Sequence, residues 1–216
     1  MSTVDTKLTK PYLRGHSHQA AFFLALGACL MMLSKTHSIT TFISLLIYSL
    51  SLCGLFGISA LYHRPTWSPS SRQWMKRLDH AAIYVLIAGT GTPLFYLALP
   101  LEAGVTLIMI TWTVALFGIL QSLFWVNAPK GVASILYVCA GYLVVPYIKE
   151  LHAGLGTHGI ELIFIGGFFY TIGAVIYAVK RPNPWPKTFG YHEIFHLLVI
   201  IGAAFHFIVI NNLIRF

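Results

Sequence analysis

His192-Glu193-Ile194-Phe195-His196, followed directly by Leu197-Leu198-Val199-Ile200-Ile201, opens the last long apolar run of a 216-residue chain. Two histidines four apart stand on one helix face, one turn above each other, so both rings can reach a single ion. The residues after them are pure hydrocarbon, and ionisable side chains at the edge of such a run are costly to keep there. They mark a candidate functional site. The run itself, residues 191–214, has the roughly 20 residues needed to cross about 30 Å of membrane hydrocarbon.

The whole chain is 57% hydrophobic and only 9% charged, where a soluble domain carries about a quarter charged residues. That composition describes an integral, all-α, polytopic membrane protein with one domain. The formal net charge of +8 would suggest a nucleic-acid partner in a soluble protein. Here most Lys and Arg fall in short loops between apolar runs, so the charge is a topology signal and no nucleic acid is expected. Cys29, Cys53 and Cys139 all lie inside apolar runs. They read as small buried hydrophobes rather than as a disulfide or thiolate framework.

Seven apolar runs are expected to form a seven-transmembrane-helix bundle: residues 18–34, 40–62, 79–99, 104–126, 131–148, 160–179 and 191–214. Residues 1–17 are polar and basic and read as a juxtamembrane tail, with the membrane domain spanning 18–216. No small-residue cleavage pattern follows the first run, so it is a helix rather than a signal-peptide core. The loop Arg64–Arg77 holds prolines that stop a helix and tryptophans suited to the interface. Pro93 predicts a kink in the third helix. Gly166, Gly167 and Gly173 predict close helix contact in the sixth.

Seven crossings place the termini on opposite sides. With the N-terminus cytoplasmic, the inner side holds Lys7, Lys10, Arg14, Arg64, Arg72, Lys76, Arg77, Lys130, Lys180, Arg181 and Lys187, and the outer side only Lys35, Lys149 and Arg215. The bias favours N-in, C-out. The second helix then ends, and the third and seventh begin, on the same side. His63, Asp79 and His192, far apart in sequence, reach one membrane depth.

His63, His192 and His196 supply three imidazoles and leave a fourth tetrahedral position for water, the pattern of catalytic rather than structural zinc. Asp79 can hydrogen-bond or deprotonate that water. Ser59, four residues before His63, shares its helix face and can orient the ligand or the water. A lone intramembrane histidine is more often a packing residue, and His18, His37, His80, His152, His158 and His206 are assigned to packing, loops or the interface. The literal HExxH of residues 192–196 also matches the zincin signature, in which the Glu is general base. Against an intramembrane metalloprotease, Glu193 points about 100° from the histidine face, and no Asp or Glu follows it to complete the site.

Ser59-Ala60-Leu61-Tyr62-His63, Leu78-Asp79-His80-Ala81-Ala82-Ile83-Tyr84 with the later Ala88-Gly89-Thr90-Gly91-Thr92-Pro93, and His192-Glu193-Ile194-Phe195-His196 together resemble the haemolysin III family. This is the bacterial branch of the progestin and adipoQ receptor family. The resemblance covers nearly the whole chain, with three motifs in order. It implies a seven-helix fold with the N-terminus inside and a zinc ion near the cytoplasmic face, in a bacterial inner membrane. It implies His63, His192 and His196 as zinc ligands, Asp79 as the carboxylate beside the zinc-bound water, and Ser59 as a residue next to the metal. The five positions show no departure from the pattern. The family also looks related to alkaline ceramidases, which hydrolyse a lipid amide with a similar His, Asp and Ser set.

Two classes of function follow as expectations. The first is a zinc-dependent hydrolase of a lipid amide or ester, whose substrate enters from the bilayer. The second is a pore-forming haemolysin or a receptor in which zinc is structural. A pore calls for polar stripes along several helices, and the fourth to sixth runs carry few. Haem held by His63 and His192 is a third option, but it leaves Asp79 and His196 without a role. Affinity alone would favour copper over zinc, so the metal's identity rests on geometry and on the resemblance.

Overall fold

In the computed structural model, which describes residues 10–214, every expected apolar run is helical. Among the described residues the helices are α1 (His16–Leu33), α2 (Ile39–His63), α3 (Pro69–Ala98), α4 (Leu101–Phe124), α5 (Lys130–Gly141), α6 (Ile148–Val179) and α7 (Tyr191–Asn212). Among the described residues six stretches are long and apolar enough to cross a membrane, the fifth being the 50-residue run Lys130–Val179. Residues 1–9, Lys7 among them, and Arg215 and Phe216 lie outside the described residues.

The third helix begins ten residues earlier than the hydropathy implies, at Pro69 rather than Asp79. Pro69 starts the helix instead of stopping one, because proline lacks an N–H that the first turn leaves unpaired anyway. Ser68 caps it, its hydroxyl oxygen accepting from the Ser71 N–H at 3.2 Å. Only residues 64–68 remain of the expected 14-residue loop. Pro93 sits inside the same helix, which continues past it to Ala98.

The run from Lys130 to Val179 departs further from expectation, since no loop divides it. A straight 50-residue helix would be roughly 75 Å long, more than twice the bilayer core. Two features fold it instead. Tyr142–Tyr147 tightens to a 3-10 helix around Pro146, and Gly156 breaks α6 with φ 69° and ψ 175°. The outgoing and returning legs then pair antiparallel. Ser134 donates to the Ala174 carbonyl at 3.1 Å, and the Tyr142 and Thr171 hydroxyls meet at 3.3 Å.

Consecutive helices pack side by side, and α1 closes against α7. One core cluster joins α1, α2, α3 and α7 through Met32, Leu45, Tyr48, Phe56, Leu86, Val199 and Ile210. A second joins α3, α4, α6 and α7 through Phe95, Leu107, Ile163 and Val209. The outward side chains are as apolar as the core: Leu24, Phe124 and Phe168 are all exposed, which suits a surface solvated by lipid. The helices α6 and α7 approach closely at Gly166, where a Cβ would lie 2.4 Å from the His206 ring. Gly173 also faces α7, against Phe195 and Leu198. Gly167 does not take part; a Cβ there would meet nothing within 4 Å.

Candidate metal centre

α2 ends on His63, and α7 begins one residue before His192, so both helix ends deliver imidazoles to the same level. The i,i+4 spacing sets His192 and His196 on one face, with ring centroids 4.5 Å apart. Across the helix junction His63 lies 4.7 Å from His192 and 5.1 Å from His196, centroid to centroid. Ligating atoms of all three fall within 4.8 Å of one another. The Nε2 atoms of His63 and His192 are 3.1 Å apart.

These distances fit a metal. Zinc–nitrogen bonds of about 2.0–2.1 Å in a tetrahedron hold their nitrogens roughly 3.3 Å apart. His196 is 1% exposed, and its Nδ1 has no hydrogen-bond partner among the described residues. A buried imidazole nitrogen without a partner is costly.

Asp79 projects from α3 with Oδ2 3.8 Å from His63 Nε2. Ser59, 1% exposed, lines the same cavity as Asp79, His192 and His196. The structure thus brings all five candidate residues, His63, His192, His196, Asp79 and Ser59, into one neighbourhood.

Glu193 is used differently from the general base of an HExxH zincin. One oxygen pairs with Arg14 Nε, and the other accepts the Gly190 N–H at 2.8 Å, half of a capping box on α7. Arg14 belongs to a segment strapped across this end of the bundle. Tyr12 and Leu13 donate to the carbonyls of Lys187 and Thr188 at 3.0 and 3.1 Å. The Lys10 ammonium donates to the Arg64 carbonyl at 3.0 Å, and partial burial, then Arg72, Arg14 and Arg64, hold its pKa below the usual lysine range. Gly15 completes the strap with φ +82°, and a Cβ there would lie 2.7 Å from the His63 Cβ. Only glycine satisfies both conditions.

His18 belongs here too, rather than among the packing, loop or interface histidines that its sequence context suggests. Its ring stacks on His196 at 3.8 Å with an 8° interplanar angle. The same depth argument that gathered His63, Asp79 and His192 applies to the start of α1, so the signal was present. Below the cluster an apolar cavity of about 220 Å³ runs into the bundle, lined at the top by His18, Ser59, Asp79, His192 and His196 and deeper by Phe95 and Ile148. Asp79 and Phe95 both line it, so it follows roughly 24 Å of α3 at 1.5 Å per residue.

The family model described as Haemolysin-III related matches residues 6–207. The chain belongs to the haemolysin III family. It is 32% identical over 194 residues to Hemolysin-3 of Bacillus cereus, covering 88% of this chain and 85% of that one. The wider progestin and adipoQ receptor relationship is visible as well. Human monocyte to macrophage differentiation factor is 24% identical, over 74% of this chain and 66% of its own. The rice heptahelical transmembrane protein ADIPOR3 is 32% identical, over 62% of this chain and 37% of its own. A multi-pass haemolysin III protein of the membrane, with three buried histidines able to hold a metal ion, is the common ground of fold, site and kinship.

Proposed function

We propose that this protein is a zinc-dependent hydrolase of a lipid amide or ester, with its site at the cytoplasmic face of a bacterial inner membrane. The observation that carries the reading is the junction of two unlike environments. Three ligating imidazoles and the Asp79 carboxyl sit at the head of a long apolar cavity. A soluble substrate needs no such cavity, whereas an acyl chain fills it.

A bound zinc ion supplies Lewis acidity towards a carbonyl oxygen and lowers the pKa of a water it holds. His63, His192 and His196 would hold it, and the remaining chemistry falls to the chain. Asp79 accepts a proton as the water oxygen bonds to the acyl carbon, then returns it to the nitrogen or oxygen leaving group as the old bond breaks. Ser59 orients the Asp79 carboxyl. The apolar walls exclude bulk water from the acyl chain and leave the polar head at the mouth.

The finer topology belongs to the same proposal. The stretch Lys130–Val179 is too long for one crossing and doubles back at Gly156, which supports seven crossings; the rice relative is itself called heptahelical. Lys10, Arg14, Arg64 and Arg72 gather beside the histidine end, which supports a cytoplasmic N-terminus. A pore or receptor reading with a structural metal makes Asp79 dispensable for chemistry. The test is turnover of lipid amides and esters by purified protein, wild type beside Asp79→Asn. Loss of about 10²-fold or more in the variant, with its metal retained, is expected for a general base. No turnover in the wild type on any amide or ester lipid would remove the enzyme.

A further inference from the structure

We infer that His18 is a substrate-contacting residue, its imidazole hydrogen-bonding the polar head of an amide lipid seated in the cavity. This rests on the lipid-hydrolase reading and names a residue that reading does not use. His18 is 2% exposed, and neither Nδ1 nor Nε2 has a hydrogen-bond partner among the described residues. A neutral imidazole always presents one N–H donor and one acceptor. Burying both without partners works against folding, so a position of this kind calls for a partner that arrives from elsewhere. The ring lines the cavity beside Ser59, Asp79, His192 and His196, where a lipid's head would lie.

The ring's orientation decides between a substrate contact and a fourth metal ligand. An imidazole offers its lone pair in the plane of the ring. The rings of His18 and His196 stack nearly parallel, at 8° with centroids 3.8 Å apart, so an ion in the plane of one ring is out of the plane of the other. His18 cannot join His196 on one ion in this arrangement. The ring is also packed against Phe56, at 5.1 Å and 57°. Stacking engages the faces of the ring and leaves the nitrogens at its edge without a partner among the described residues. An amide head offers both a carbonyl acceptor and N–H or hydroxyl donors, and so matches either tautomer.

The experiment measures equilibrium binding of a fluorescent dodecanoyl-sphingosine amide to purified protein in detergent. It is run in an Asp79→Asn background so that no turnover consumes the probe. His18→Phe keeps the stacked ring and deletes the nitrogens, and His18→Gln restores a donor and an acceptor. The expected result is about tenfold weaker binding for His18→Phe, the scale of one lost hydrogen bond. Recovery to within about threefold is expected for His18→Gln, with equal metal content in all three proteins. Equal affinity of the parent and His18→Phe would overturn the inference and make His18 a packing residue. Loss of metal in His18→Phe would overturn it too, because His18 would then act by supporting His196. A parent that binds no probe also overturns it. A parent that binds the probe, beside a wild type that never cleaves it, sinks the hydrolase alone and leaves the His18 comparison readable.

Discussion

Glu193 stands between the two histidines of an HExxH sequence, yet both of its oxygens serve the fold. With Oε1 on Arg14 and Oε2 on the Gly190 N–H, it ties the strap at residues 10–15 to the first turn of α7. Removing its charge should therefore cost stability rather than chemistry. Glu193→Gln is expected to lose about 3 kcal/mol, the lower end for stranding one partner of a buried ion pair, and to lower the thermal unfolding midpoint. Lipid turnover per folded molecule should stay within about threefold of wild type, against the 10²-fold or greater loss of a missing general base. Unchanged stability with abolished turnover would restore the zincin reading. Motif spacing could identify the histidines, because the i,i+4 relation is a property of the helix alone. It could not identify the partner of Glu193, which lies 179 residues away in sequence. His18 was legible in principle from its depth at the start of α1, but neither its stacking nor its unpartnered nitrogens leave any trace in composition.

The helices separate what hydropathy encodes from what it does not. Apolar runs locate the middles of α1, α2, α4 and α7 within a few residues, since each must fill the same thickness of hydrocarbon. The start of α3 was not legible, because residues 69–78 are polar and their helicity depends on the Ser68 cap and on Pro69 at the first position. The turn inside Lys130–Val179 was legible as the gap between runs 131–148 and 160–179, where Lys149, Glu150, His152 and His158 interrupt the apolar sequence; that the gap is itself helical and breaks at Gly156 was not. Adjacent glycines make a sharper test of packing. Gly166→Ala drives a methyl group into the His206 ring at the α6–α7 contact and should cost about 1–3 kcal/mol by overpacking. Gly167→Ala, with open space around it, should leave the unfolding midpoint unchanged or slightly raised. Thermal unfolding of the two variants in detergent distinguishes them, and equal effects would show that α6 is rotated from the orientation described.

At the scale of the whole molecule, the account joins a seven-crossing topology to a metal at its cytoplasmic end. In a chain freed of Cys29, Cys53 and Cys139, Lys35→Cys and Thr157→Cys should react with an impermeant thiol reagent added outside. Lys187→Cys should react only after the membrane is opened. Labelling of Thr157→Cys from the inside alone would mean that Lys130–Val179 does not cross twice. The metal remains the central claim, since it is what the convergence of His63, His192 and His196 within 4.8 Å supports. Its most direct test is the metal content of the purified protein by mass spectrometry, wild type beside His196→Ala. The account expects about one zinc per wild-type chain, matching a single three-imidazole centre, and its loss in the variant. A wild type free of metal, or a variant that keeps it in full, would contradict the account.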